Sequence, residues 1–143
     1  MAVKSLATLI KLQKSLVDAQ RRMLADLQNI HDRIVAEIAA LEAARQREEA
    51  IARQAEAGEM VTLAQFLDAV KTRLAQLNKA REEADQQVAA ALEKLSELFE
   101  TQKRYEIVRD HRDATELAAA QKLERQELDE IAEQGHQRKG AQE

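Results

Sequence analysis

The sequence predicts an all-α fold: a long antiparallel two-helix coiled coil, or hairpin, whose second helix is longer than its first. Three observations support this prediction. Charged residues make up 34% of the 143 residues, aromatic residues only 2%, and proline is absent, a composition typical of long helices. Apolar residues recur at alternating intervals of three and four positions, which is the coiled-coil period. A single glycine, Gly58, divides the chain before residue 135.

The first helix is expected at about residues 3–56. Its heptad a positions are Ile10, Val17, Leu24, His31 and Ile38. Its d positions are Leu6, Gln13, Gln20, Leu27, Ile34 and Leu41. The g positions carry Leu9, Leu16, Met23 and Ile30. We expect these g residues to widen the apolar stripe along the helix. Heptads sustained over this length predict a left-handed supercoil.

A chain reversal is expected at about residues 57–61. Gly58 is the predicted C′ residue of the first helix, because glycine adopts the left-handed conformation that ends many helices. Thr62 and Gln65 have the spacing of a capping box, which opens a helix. The second helix is therefore expected at about residues 62–134, followed by a flexible basic tail at 135–143, and the whole chain 1–143 forms one domain.

The second helix repeats the heptad pattern. Its a positions are Met60, Leu67, Leu74, Arg81, Val88 and Leu95. Its d positions are Leu63, Val70, Leu77, Ala84, Ala91, Leu98 and Tyr105. Folding the chain at the reversal brings together residues whose numbers add to about 115, so that each a position of one helix faces a d position of the other. Antiparallel pairing requires this arrangement.

Two parts of the predicted hairpin have no matching partner. Beyond residue 110 the second helix overhangs the first by about 25 residues, or about 35 Å. This charged overhang is either a disordered tail or a segment that becomes ordered inside a partner. Near the turn, the apolar residues of the second helix are not matched by the first, which offers Ala52, Glu48 and Arg45. These apolar residues are Leu63, Phe66, Leu67 and Val70. That apolar patch either packs against the first helix with some fraying or forms a docking face.

Several classes of function are not expected. The net charge is −4 with both signs interleaved, unlike the basic surface of a nucleic-acid-binding protein. Cysteine is absent and the three histidines are scattered, so no metal site is expected. Carboxylates on solvated helix faces lack the pocket that catalysis needs. We therefore expect a protein without catalytic activity, cofactor or stable small-molecule ligand, and, because no stretch is apolar enough to span a bilayer, a cytoplasmic one.

Two segments of the sequence resemble the flagellar export protein FliJ family. The segment Leu128-Asp-Glu-Ile-Ala132 follows a charged helix and precedes the basic residues Arg138 and Lys139, as does the C-terminal motif of that family. The segment Ala64-Gln-Phe-Leu67 is similar to the Gln-Phe pair that the family carries at the start of its second helix. Length, lack of proline and the hairpin pattern agree along the whole chain.

The resemblance implies a central stalk of the flagellar type III export apparatus, similar to the stalk of rotary ATPases. Such a stalk inserts both chain ends into the hexameric export ATPase, links that ring to the cytoplasmic domain of the transmembrane export gate, and escorts export chaperones. The residues implied in gate binding are Phe66, Val70, Arg73 and Leu77. Those implied in ring binding are Arg112, Lys122, Leu128, Asp129, Glu130 and Ile131.

The resemblance also implies a monomeric hairpin at the cytoplasmic side of the inner membrane, peripherally associated with the flagellar base. Three alternatives remain open. One is the equivalent stalk of a virulence-type secretion system. Another is a structural coiled-coil scaffold or homodimer, which a dimer mass would indicate. The third is a chaperone-like hairpin that holds clients between apolar tips, which requires assembly into a cage.

Overall fold

A computed structural model describes residues 5–54 and 56–141, and this part of the chain is formed by two helices without any strand. Helix α1 spans Leu6–Ala52 and helix α2 spans Ala57–Ala141. The predicted all-α fold with a longer second helix is confirmed. The predicted positions 3–4 of the first helix, residue 55 and residues 142–143 of the predicted tail lie outside the described residues.

Helix α1 begins with a side-chain cap. The amide of Thr8 donates to Oγ of Ser5 at 3.2 Å, and the two hydroxyl oxygens lie 2.8 Å apart. Ser5 is thus the N-cap residue and Thr8 the N3 residue, the positions at which a serine oxygen accepts one of the unpaired first-turn amides. This contact fixes the start of α1 at Leu6.

The turn lies earlier in the chain than the sequence predicts. Helix α1 ends at Ala52 and α2 begins at Ala57, so the predicted boundaries at 56 and 62 are wrong. Gly58 lies inside the first turn of α2, and no described glycine has a positive φ. The predicted C′ role of Gly58 and the capping box at Thr62 are therefore also wrong. The carbonyl of Glu56 accepts the amide of Met60 at 3.3 Å, so this backbone hydrogen bond belongs to the first turn of α2.

The other end of α2 is also displaced from its prediction. The helix continues through Gly135 and Gly140 to Ala141, whereas the sequence pattern predicts an end near 134 and a flexible tail. Neither glycine has any atom within 4 Å of the position that a Cβ would occupy. An exposed glycine inside a helix costs only about 1 kcal/mol relative to alanine, which is too little to end a helix reliably.

The described residues belong to two compact units. One is drawn from Ser15–Phe99 and the other from Met1–Lys14 with Glu100–Glu143. In the Ser15–Phe99 unit, α1 and α2 run antiparallel, since Gln20 contacts Ala91 whereas Glu37 contacts Arg73. The predicted hairpin is confirmed in this unit.

The core of the Ser15–Phe99 unit is a single seam of a and d residues. Near the turn it forms a cluster of buried and partly buried side chains: Ile34, Ile38, Leu41, Val70, Leu74 and Leu77. Farther along, the buried apolar residues are Val17, Leu24, Ala84 and Ala91. Burial of a leucine-sized side chain contributes about 2 kcal/mol, so this seam supplies most of the stabilisation of the unit.

Polar contacts join the two helices along the edges of the seam. His31 Nε2 lies 2.6 Å from Oδ1 of Asp85. The side-chain amide of Gln20 donates to the carbonyl of Ala91 at 3.1 Å. The guanidinium of Arg21 stacks over Phe99 at 4.9 Å from the ring centroid, a cation–π distance. These contacts fix which residues of α1 and α2 lie at the same height.

The other unit contains the start of α1 and the C-terminal part of α2. Ile10 is buried and Tyr105 is partly buried, in agreement with their predicted places at a and d. Gln13 is also buried, at 7% exposure. Beyond Arg109 every described residue of α2 is exposed. We call residues 111–141 the C-terminal extension.

Candidate partner-binding surfaces

The hairpin turn carries an apolar groove, which we call the tip groove. It is lined from α1 by Glu48, Ile51 and Ala52, and from α2 by Gly58, Glu59, Thr62, Leu63 and Phe66. Beside it, Met60 and Val61 are 51% and 62% exposed, and Ile51 is 61% exposed. Large apolar side chains grouped at this exposure are uncommon on a protein without a partner. Apolar surface is therefore exposed near the turn. Of the residues predicted for it, Phe66 is exposed, Leu63 and Leu67 are partly buried, and Val70 is buried in the core.

The groove exists because α1 is polar where α2 is apolar. Arg45 and Glu48 stand on α1 where a and d residues of α2, Leu63 and Leu67, need apolar neighbours. Nε of Arg45 is buried without a hydrogen-bond partner and lies 3.9 Å from Oε1 of Glu49. Leu63 and Leu67 consequently remain partly exposed. The seam weakens toward the turn and leaves apolar surface free for binding.

The four residues implied in gate binding separate into two pairs. Phe66 is 37% exposed and lines the tip groove. Arg73 is half exposed and held by Glu37, with its Nη2 2.8 Å from Oε1 of that carboxylate. Val70 and Leu77 are each only 4% exposed and belong to the core cluster. A partner can reach Phe66 and Arg73 on the folded hairpin, whereas Val70 and Leu77 are covered by α1.

The residues implied in ring binding all lie on the C-terminal extension and are all exposed. They are Arg112, Lys122, Leu128, Asp129, Glu130 and Ile131. Leu128 and Ile131 are 59% and 65% exposed, and Leu117 is 60% exposed. At 100° per residue these three apolar side chains fall on one side of the helix. The extension thus presents an apolar strip among charged residues.

The C-terminal extension is held by little besides its own helical hydrogen bonds. Thr115 donates from Oγ1 to the carbonyl of His111 at 2.8 Å. No ion pair joins its charged side chains to one another or to α1 among the described residues. A helix without tertiary contacts is only marginally stable in water. A partner that surrounds it would supply the missing stabilisation.

The described residues contain no group of three His, Cys, Asp or Glu side chains arranged to hold a metal ion. Within the same part of the chain, neither helix contains a stretch with the length and apolar character needed to cross a bilayer. The arrangement of exposed apolar and charged helix faces is suited to contacts with other proteins.

A comparison with known protein families shows which family this chain belongs to. A family model described as the flagellar FliJ protein matches residues 2–141 of the 143-residue chain. The chain belongs to the FliJ family. No curated protein and no solved structure matches it. The resemblance seen in the sequence is confirmed, and membership in the FliJ family makes the protein a component of a flagellar-type export apparatus.

Sequence patterns alone did not reveal three features of this FliJ-family chain. The His31–Asp85 pair was not foreseen because Asp85 stands at an e position, outside the seam. The cation–π contact of Arg21 also joins two e positions. The third feature is an exposed apolar stripe on α1, whose g residues were expected to widen the apolar stripe of the seam. A second run of apolar residues at c positions, Leu12 and Ala19, was the signal that could have indicated it.

Proposed function

We propose that this protein is the central stalk of a flagellar type III export apparatus, which links the hexameric export ATPase to the cytoplasmic domain of the export gate and escorts export chaperones. In this proposal it acts by binding and has no catalytic activity. Its place is the cytoplasmic side of the inner membrane, at the flagellar base. The observation that carries the proposal is the family match over residues 2–141 together with two exposed surfaces, the tip groove and the C-terminal extension.

In this proposal the C-terminal extension enters the ATPase ring. Its described charged and apolar side chains are all exposed, so a ring that encloses the extension reaches them without unfolding the hairpin. Part of the binding energy orders a marginal helix, which lowers the affinity. Reversible docking of this kind suits a part that must be released and rebound during export cycles.

The tip groove, in turn, is proposed to bind the export gate. Phe66 supplies an aromatic anchor of the type that dominates protein interfaces. Arg73 retains guanidinium N–H groups beyond the two that Glu37 accepts, and these remain available to a partner carbonyl or carboxylate. Val70 and Leu77 support this face from the core below it. In this proposal Val70 and Leu77 hold Phe66 and Arg73 in place instead of contacting the gate themselves.

The gate proposal is tested by replacing Phe66 with alanine. Phe66→Ala is expected to weaken binding of the gate cytoplasmic domain by about tenfold or more, since loss of an aromatic anchor typically costs over 1 kcal/mol. The measurement is isothermal titration calorimetry, combined with thermal denaturation of the free protein. The matched control is Phe99→Ala, because Phe99 is also 37% exposed but lies away from the tip groove.

Two results would contradict this role for Phe66. Equal gate affinity for Phe66→Ala and the unmodified protein would remove the residue from the interface. Phe99→Ala removes the cation–π contact with Arg21 and is expected to lower stability by up to about 1 kcal/mol. A clearly larger loss of thermal stability in Phe66→Ala would identify Phe66 as a core residue.

A further inference from the structure

Helix α1 carries a second apolar stripe beside the seam. It runs along the g positions and faces away from the core. In the Ser15–Phe99 unit this stripe contains Leu16, Met23 and Ile30, which are 43%, 55% and 50% exposed, with Ala19 between them. Leu16 and Ala19 are three residues apart, Ala19 and Met23 are four apart, and Met23 and Ile30 are seven apart. These are the intervals of a coiled-coil seam. The described residues provide no helix to cover it. We call this stripe, with the adjoining g and c positions of α2, the lateral face.

The α2 half of the lateral face has small side chains where α1 has large ones. A groove runs between the helices here, lined by Gln20, Met23, Leu27, Gln87, Ala90, Ala91 and Lys94. Ala90 and Ala91 form its floor on the α2 side, beside the large and flexible Met23. Large apolar side chains on one helix and alanines on the other are complementary in shape to a second copy of the same surface.

Some of the charged residues along the two edges of the lateral face are complementary to those of a second copy of the same surface. Arg22 and Arg33 border the α1 side, and Glu83 and Glu93 border the α2 side. All four are exposed, and none forms an ion pair among the described residues. The α1 edge also carries Asp26 and the α2 edge also carries Lys94, both of them exposed. Each edge therefore bears both signs, and the two arginines and two glutamates form its complementary part.

The interhelical contacts show which of these charges lie at the same height. His31 pairs with Asp85, so Arg33, two residues later, lies level with Glu83, two residues earlier. Gln20 contacts Ala91, and Arg21 contacts Phe99. Because Glu93 lies between Ala91 and Phe99, it is close to the height of Arg22. Each arginine is therefore level with a glutamate across the face.

We propose that the lateral face binds a second copy of this chain to form a reversible homodimer. A twofold axis parallel to the helices places α2 of one copy over α1 of the other at equal height. Met23 of each copy then enters the groove above Ala90 of the other, and the Arg33–Glu83 and Arg22–Glu93 pairs form between copies. The arrangement is a four-helix bundle with an isologous interface.

This inference differs from the monomer that the sequence predicts, and it does not rest on the proposed stalk function. The stalk proposal concerns the C-terminal extension and the tip groove, whereas dimer formation uses the lateral face of the Ser15–Phe99 unit. Failure of the dimer leaves ring and gate binding untouched, and failure of ring or gate binding leaves the dimer untouched. The two proposals are thus tested separately.

The test is sedimentation velocity of the full chain between about 1 μM and about 500 μM, a range that covers weak and moderate dimers. The average mass is expected to rise with concentration from the monomer value of 16.1 kDa toward twice that value. Met23→Glu is expected to weaken the dimer at least about tenfold, because a charge would enter the apolar groove. The matched control Val35→Glu changes a residue of α1 that is 42% exposed on the opposite edge and should leave the dimer unchanged.

A charge exchange identifies the partner surface. Arg33→Glu alone and Glu83→Arg alone are each expected to weaken dimerisation, because each places like charges opposite one another. The double variant is expected to restore it. Far-UV circular dichroism of each variant verifies that the helices remain folded.

Three results would overturn the proposal. The first is a monomer at every concentration, which leaves the lateral face bare or available to a helix of another protein. The second is equal weakening by Met23→Glu and Val35→Glu. The third is a dimer that the double charge exchange fails to restore.

Discussion

At the scale of single residues, the heptad position decides burial along the seam. Leu77, at a d position, is 4% exposed, whereas Leu92, at an e position of the same helix, is 48% exposed. The sequence predicted this difference, because the a and d assignments follow directly from spacing. It did not predict that the g residues of α1 remain outside the core. A two-helix seam covers only a and d side chains, and g residues are covered only when a third helix is present.

Substitution of the two leucines measures this difference in energy. Leu77→Ala is expected to lower the free energy of unfolding by about 2–4 kcal/mol, because it removes a buried side chain and leaves a cavity. Leu92→Ala should change it by less than about 0.5 kcal/mol, as exposed substitutions do. Urea denaturation followed by circular dichroism provides the measurement. Equal losses for the two variants would show that the register of the seam is misassigned.

At the scale of elements, the two helices were predictable but their ends were not. The heptads located α1 and α2, since apolar periodicity persists over many turns. The ends were assigned from Gly58, Thr62 and Gly135, and each of these residues lies inside α2. Glycine marks a helix end only when it adopts the left-handed conformation, and no described glycine does. Ser5, by contrast, has a side-chain hydrogen bond that defines the start of α1.

Replacing Gly58 with alanine tests the corrected start of α2. Gly58→Ala is expected to raise the free energy of unfolding by roughly 0.5 kcal/mol, because alanine favours the helical conformation and the site is open. Ala69→Gly, at an exposed position in the same helix, is a control that should lose up to about 1 kcal/mol. Urea denaturation measures both. A loss of stability in Gly58→Ala would instead support a left-handed C′ residue.

At the scale of the whole molecule, the chain combines a packed seam with surfaces that no described residue covers. The sequence predicted the tip surface from the polar residues opposite Leu63, and the C-terminal extension from the unequal helix lengths. It could not predict which side chains of the tip remain reachable, because Val70 and Phe66 differ in burial through contacts made in three dimensions. Sequence periodicity describes only how the helices pack against one another. The partner proposed for each surface is therefore inferred from family membership and from physical complementarity.

The central claim is that the C-terminal extension is the element that binds the export ATPase ring. The most direct test is the affinity of the hexameric export ATPase, from the same organism, for three proteins, measured by biolayer interferometry. These are the full chain, a chain lacking residues 111–143, and the Leu128→Asp, Ile131→Asp double variant. Leu92→Asp is the control, since Leu92 is similarly exposed but lies in the Ser15–Phe99 unit.

The account predicts that the truncation abolishes ring binding and that the double variant weakens it by about tenfold or more. Leu92→Asp should bind as the full chain does. The truncated protein should retain its thermal stability, because every described residue of the extension is exposed. Undiminished binding of the ring by the chain that lacks residues 111–143 would contradict the account.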